Sequence, residues 1–259
     1  MKTTKLLRAL AKNFPKKIGK KYHDPIGLQT GKLKEETNNI LLCLDFDEAV
    51  FEIKKNELTN KKYDLIITHH PFIFGTKRNV FKHDINKEIL CSKIDELNIP
   101  IYSFHTNFDE GKDGMNDALA NKLGLLNIKP LEGDPMARGG NLKKPMNIYE
   151  CAAFIKKALN VSYGLLLPYG KNEISNIAVV GGGGWRTFRI AQDENYDLFI
   201  SGDIPHHGRR EVISYKYNYL DLPHEIENIF IDQMFNILKA IDSNLNIDKV
   251  IHEKEPIVI

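Results

Sequence analysis

The sequence predicts an α/β protein with largely parallel strand pairing, and three observations carry that reading. Short apolar runs rich in β-branched residues recur along the chain. Helical patterns lie between them, and the runs are continuously apolar rather than alternating. Strands that alternate with helices imply crossover connections and parallel neighbours. Strands without alternation imply sheets covered on both faces. At 259 residues the chain can bury roughly 70–75% of the surface its unfolded state exposes, so one large domain or two small ones need no disulfide staples.

Taken in order, Thr3–Ala11 reads as a short helix with Leu6, Leu7 and Leu10 on one stripe and Pro15 beyond its end. The turn-rich stretch His23–Gly31 follows. Strands are then expected at Ile40–Leu44, Leu65–Thr68, Ile99–Phe104, Ile177–Val180, Leu198–Ser201 and Tyr217–Leu220. Helices are expected at Glu48–Leu58, Ile85–Leu97, Asn116–Leu123, Ile148–Leu159 and His224–Ile241. Asp134–Pro145, with Gly139, Gly140 and two prolines, breaks the pattern and reads as the passage between two lobes. The expected division is therefore 1–133 and 134–259, with the C-terminal segment free to return to the first lobe.

Composition excludes several classes. The chain is 42% hydrophobic with a formal charge of only +2, which argues against disorder. No apolar run reaches the roughly 20 residues of a membrane span, and the basic N-terminus lacks the apolar core of a signal peptide. Cys43, Cys91 and Cys151 form no CxxC pair and no disulfide framework. These features predict a soluble, cytoplasmic protein with no membrane partner. Positions 1–34 carry ten Lys/Arg against one acid, Asp24. A basic segment of that kind can meet nucleic acid. A solvated Lys-rich helix is the preferred reading, because no aromatic residues are interleaved as stacking platforms.

The strand ends hold the chemistry. In open α/β sheets, ligands bind outside the carboxyl ends of the strands. Here Asp64–Thr68 runs into His69 and His70, and Ile101–Phe104 into His105 and Asp109. Leu198–Ser201 runs into Asp203, His206 and His207, and Tyr219–Leu222 into His224 and Glu227. Any one histidine is more often a hydrogen-bonded core or surface residue than a ligand. Four strands ending in His and Asp/Glu shift the balance toward a metal site. Imidazole with carboxylate suits Zn, Mn, Fe, Co or Ni rather than Ca or Mg alone.

Pro71 keeps His70 extended, so the two rings of the doublet should leave opposite faces of the strand, which fits two adjacent ions better than one. His224 and Glu227, three apart, share one helical face, with Asp221 as a candidate cap. His83 and His252 lie outside this context and read as structural. The run Gly181–Gly184 fails the dinucleotide fingerprint because Arg186 stands at the third glycine, and it lacks a P-loop ending. No Gly-x-Ser-x-Gly elbow is present, so a nucleophilic hydrolase finds no support.

These residues resemble the GTP cyclohydrolase 1 type 2 homolog family, also called the NGG-interacting-factor-three-like family. The shared motifs are the DxxGLQxG opening (Asp24–Gly31), DLIITHHPFIF, HTNFD followed by Gly114–Ala120, and the turn Arg138–Gly140. They continue with VVGGGG, LFISGDxxHH and the closing HxxE. The resemblance implies two similar lobes, each a sheet flanked by helices, with two divalent metals in a cleft between them. It also implies a toroidal homohexamer and, at this length, no inserted third domain.

By that resemblance the metal ligands are His69, His70, Asp109, His224 and Glu227. Glu227 would bridge both ions, His70 and Asp109 would hold one, and His69 with His224 the other. His105 would support a ligand or shuttle protons, and Asp203, His206 and His207 would line the cleft. Relatives differ between HxxE and HxxxE. Here Asn228 is fourth after His224, so the role falls to Glu227, and Pro223 replaces the small residue usual before that histidine.

The implied activity is hydrolysis of a purine nucleotide such as GTP by a metal-activated water. A phosphoesterase acting on another nucleotide is nearly as compatible. The alternative is a non-catalytic scaffold, metal carrier or regulatory nucleic-acid-binding protein. Openness separates the two classes, since a catalytic ion keeps a coordination position for water or substrate.

Overall fold

Eleven strands form two sheets in a computed structural model that describes residues 1–259. The first sheet has the order β1-β4-β3-β2-β11, with β1 Gly27–Thr30, β2 Asn39–Cys43, β3 Leu65–Thr68, β4 Ile101–Ser103 and β11 Asn246–Val250. Three of its four pairings are parallel and only β1 runs against β4. Leu65, Ile66, Ile67, Ile40, Leu41 and Leu42 are all fully buried, so both faces of the central strands are covered, as continuous apolar runs require. One face packs Leu41, Ile66 and Ile101 against Val50, Leu58, Leu90 and Ile94 from the flanking helices.

Local chemistry sets the helix ends. Asp84 caps Ile85–Leu97 by accepting from the Lys87 amide at 2.9 Å, and Asn98 closes the helix in the left-handed conformation at φ 54°. The expected helix Glu48–Leu58 is instead two, Glu48–Ile53 and Lys55–Thr59. Asp47 caps the first, and Lys54 leaves helical geometry at φ −109°, ψ 17°. On Thr3–Leu10, Leu6 and Leu10 are buried while Lys5 and Arg8 are exposed.

The second sheet has the order β5-β6-β8-β9-β10-β7, with β5 Leu126–Pro130, β6 Arg138–Asn147, β7 Leu165–Pro168, β8 Glu173–Val179, β9 Leu198–Gly202 and β10 Asn218–Leu222. Only β8–β9 and β9–β10 are parallel; the other three pairings are antiparallel. The largely parallel expectation thus describes the first sheet and the centre of the second. Its core joins Ala178, Val180, Phe199 and Tyr219 to Trp185, Phe188 and Val212.

The chain divides into two compact units, 1–114 with 230–252, and 115–229 with 253–259. The segment Asp134–Pro145, read from sequence as a passage between lobes, lies inside the second unit and supplies most of β6. Its glycines serve packing. A Cβ on Gly139 would overlap the Tyr196 ring, and one on Gly140 would approach Leu125 Cβ to 2.9 Å. From sequence alone a Gly-Gly pair looks like a linker; here it lets a strand and a tyrosine occupy the same layer. No helix is long and apolar enough to cross a membrane.

Candidate metal centre

In the first unit, the parallel register aligns Thr68 of β3 with Ser103 of β4, and their hydroxyls bond at 2.7 Å. That register sets His69–His70 beside Phe104–His105. The strand ends at Thr68, and both His69 and His70 donate their backbone N–H groups to Leu44 O, at 3.0 and 3.1 Å. Beyond the last ladder residue, strand alternation no longer directs the side chains. The two rings therefore do not leave opposite faces: their centroids are 4.9 Å apart, and His105 lies 5.1 Å from His69 and 5.6 Å from His70. One ring nitrogen from each of the three lies within 4.8 Å of the others.

Each ring is held at Nδ1. His69, fully buried, bonds Phe104 O at 2.8 Å, and Phe230 backs its ring at 5.1 Å. His70 bonds Asp45 at 2.7 Å and His105 bonds Asp24 at 2.9 Å. With the proton on Nδ1 facing these oxygens, Nε2 carries the lone pair, the arrangement by which a carboxylate or carbonyl orients a metal-binding imidazole. Asp109, on the short helix Thr106–Glu110, brings its Oδ1 to 3.5 Å from His69 Nε2 and is 7% exposed.

Burial alone would lower the His105 pKa. The Asp24 hydrogen bond and the charges of Asp109 and Asp24 outweigh it, so the pKa is raised. Asp24 and Asp45 are both held below the usual carboxylate range. Burial opposes this, and hydrogen bonds from His105 and Thr106 to Asp24, and from His70 to Asp45, override it.

In the second unit, β10 ends at Leu222 and Pro223 opens a 3₁₀ helix, His224–Asn228. With three residues per turn, positions i and i+3 eclipse, so His224 and Glu227 stand in line and Asn228 does not. His224 Nε2 lies 2.9 Å from Glu227 Oε2, while Nδ1 bonds Asp203 Oδ2. The Glu227 hydrogen bond is the largest influence on His224 and, with Asp203, pushes its pKa up to about 9 against burial.

The glycine run makes room for this carboxylate. Gly182 has φ 62°, and a Cβ there would overlap Glu227 Oε1. Ser201 locks the run to β9 by donating to Gly182 O at 2.8 Å and accepting from Gly184 N at 2.9 Å. Gly181–Gly184 is thus the wall of the Glu227 site.

Several expectations need correction or addition. Asp221 caps no helix; it sits in β10 and accepts from the Ile204 amide at 3.2 Å. His207 packs edge-on to Trp185 at 5.3 Å, and both His206 and His207 are exposed at the start of helix His206–Ser214. His252 Nε2 bonds Asp47 Oδ2 at 2.9 Å. Asp45 was missed by the sequence reading, although it follows the run Ile40–Leu44 at the same strand-end position as the other site residues. Asp24, seen only as part of a motif, is the partner of His105.

The strand ends of the two sheets thus carry imidazoles and carboxylates, among them a His69–His70–His105 group whose ring nitrogens lie close enough together to hold a metal ion. The chain belongs to the Duf34/NIF3 (NGG1p interacting factor 3) family, whose model matches residues 1–256. It is 29% identical over 255 residues to the GTP cyclohydrolase 1 type 2 homolog of Lactococcus lactis, covering 95% of each chain. It is 31% identical over 227 residues to the protein of the same name from Methanocaldococcus jannaschii, covering 87% of this chain and 88% of that one. Among solved structures, a Bacillus cereus protein related to NIF3 shares the fold with a TM-score of 0.86 at 19% identity. That match covers 100% of this chain and 99% of the other.

Proposed function

We propose that the chain binds two divalent ions of Zn, Mn, Fe, Co or Ni and uses them to hydrolyse a purine nucleotide. In this reading the ligands are His69, His70 and Asp109 of the first unit and His224 and Glu227 of the second. The observation that carries it is the repeated Nδ1 anchoring of the three proposed histidine ligands, His69 by Phe104 O, His70 by Asp45 and His224 by Asp203, which leaves Nε2 as the nitrogen each would offer a metal. Nitrogen with carboxylate oxygen is the donor set these metals prefer. The nucleotide substrate rests on the relatives' name, GTP cyclohydrolase 1 type 2 homolog.

A bound divalent ion supplies Lewis acidity toward a carbonyl, ring carbon or phosphoryl oxygen. The chain's own residues do the remaining work. Asp24 holds His105 at Nδ1, and that bond with the charges of Asp109 and Asp24 raises its pKa against burial, which suits the ring to exchange a proton at Nε2 as general acid or base. Asp45 and Phe104 O fix the azimuths of His70 and His69. Phe108 and Phe230, 4.9 Å apart, form an apolar backing that keeps water from behind His69. We further propose a toroidal homohexamer working in the cytoplasm.

Elemental analysis of the untagged protein beside His70→Ala and Glu227→Ala tests the reading, with light scattering for the six-chain mass. The expected result is about two metals per chain, reduced in both variants, followed by turnover of GTP or another purine nucleotide. Less than half a metal per chain, unchanged by the substitutions and not restored by added Zn or Mn, would refute it. Full metal content without turnover of any nucleotide would favour a metal carrier or scaffold.

A further inference from the structure

Beside His224 the second unit opens a cavity of about 330 Å³, within the size range of small-molecule sites. Its walls mix apolar and charged groups: Tyr163, Leu165 and Leu222 give it faces, while Arg209, Asp221 and Glu225 give it polar edges. Arg209 rises from helix His206–Ser214 and Asp221 lies within β10, so both charges sit on regular elements. We propose that this cavity recognises the base of the substrate and selects a neutral heterocycle edge with a carbonyl acceptor beside ring N–H and amino donors, as in guanine. The proposal rests on the reading of His224 as part of a nucleotide-hydrolysing metal centre and adds the specificity element to it.

Charge and hydrogen-bond capacity decide among ligand classes. A phosphate is disfavoured, because the carboxylates of Asp203, Asp221 and Glu225 line the same cavity as the single guanidinium. Their combined field also reaches Tyr163, whose phenol is pushed up by burial and by the charges of Glu225, Glu255, Asp221 and Asp203. A cationic ligand is disfavoured on the wall where the Arg209 guanidinium stands beside Asp221.

The Asp221 carboxylate, its side chain 11% exposed, spends Oδ1 on the Ile204 amide. Oδ2 stands 3.7 Å from the Arg209 guanidinium, beyond hydrogen-bond length. A ligand placed there must offer a donor to the carboxylate and an acceptor to the guanidinium. The guanine edge does both, with N1–H and the 2-amino group for carboxylates and O6 or N7 for arginine. Adenine presents a ring-nitrogen acceptor where guanine has N1–H, and that lone pair would face a carboxylate.

The test is equilibrium dialysis of the full-length, metal-loaded chain against guanosine, inosine and adenosine. Arg209→Ala and Glu225→Gln are run in parallel, with metal content and thermal midpoint measured on each. Guanosine should bind at least ~10-fold more tightly than adenosine, with inosine between them, because each lost or reversed hydrogen bond to a charged group costs that much. Arg209→Ala should weaken guanosine by ~10-fold or more while retaining metal, and Glu225→Gln, on the cavity rim, should weaken it less.

Equal binding of guanosine and adenosine overturns the proposal. So does no nucleoside binding by the unaltered chain, or guanosine binding unchanged in Arg209→Ala. Metal retained without guanosine binding refutes the base subsite alone. Selective guanosine binding by a chain that elemental analysis finds metal-free supports the subsite and refutes the metal reading.

Discussion

Gly182→Ala is the sharpest test of how the second unit builds its acidic site. The glycine sits at φ 62°, where an L side chain costs about 1–2 kcal/mol. The added methyl would also overlap Glu227 Oε1, and Glu227 is only 4% exposed, so its carboxylate must move within a packed site. Movement disrupts the 2.9 Å contact with His224 and leaves a buried charged group poorly satisfied, worth about 1–3 kcal/mol more. The combined expectation is a loss of roughly 2–5 kcal/mol in urea denaturation at pH 7, together with loss of metal.

Gly183→Ala is the matched control. A Cβ there meets nothing nearer than Asp203 at 4.0 Å, and the backbone is not left-handed. That substitution should fall within about 0.5 kcal/mol of the parent. If the two variants denature at the same midpoint with the same metal content, the glycine run does not exist to house Glu227, and the argument fails.

Other expectations follow from the same geometry. Asp45→Asn keeps the shape but removes the charge on His70 Nδ1, so competitive chelator titration should show metal affinity falling about 10–100-fold with little change in fold. Gly139→Ala drives a methyl into the Tyr196 ring and should cost about 1–3 kcal/mol by thermal denaturation, a loss that an interlobe linker would not show.

Asp64 accepts from the Asn38 and Asn39 amides, both at 3.0 Å, and from Lys34 at 3.2 Å. Burial opposes ionisation, and these bonds override it to hold the pKa below the carboxylate norm. A carboxyl lowered on folding stabilises the native state above its unfolded pKa and loses that contribution as pH falls through the folded value. Asp64→Asn should therefore cost about 1 kcal/mol at pH 7 and progressively less below pH 4, read from denaturation midpoints across pH.

Much of this protein is legible in the linear chain, and the physical reason is local. The helices Ile85–Leu97 and Ile148–Leu159 match their expected ends because the signals, Asp84 and Asn147 before them and Asn98 and Asn160 after, act within one turn. The strands β3 and β9 are legible because full burial on two faces demands an unbroken apolar run. Histidines at four strand ends are visible for the same reason: the carboxyl ends of parallel strands are where loops converge, and the sequence marks where each strand stops.

Other features depend on partners far along the chain. The edge strand β11 is short and half exposed, and only its parallel register with β2, from Asn246↔Asn39 to Val250↔Cys43, makes it a strand. Gly139 and Gly182 look alike in sequence as loop residues. One is emptied for Tyr196 and the other for Glu227, distinctions that exist only once those side chains have arrived.

The sequence by itself determined the α/β class, the principal strands and helices, and the supply of imidazole and carboxylate at the strand ends. Tertiary structure decided which nitrogen each imidazole presents. It did so by bringing Asp45 and Asp24 from 25 and 81 residues away to hold His70 and His105. It also set Glu227 in line with His224, through a 3₁₀ turn that the residues Pro223–Asn228 do not announce. Short-range propensity fixes where backbone hydrogen bonds begin and end. The orientation of a polar side chain answers to whichever long-range partner satisfies it.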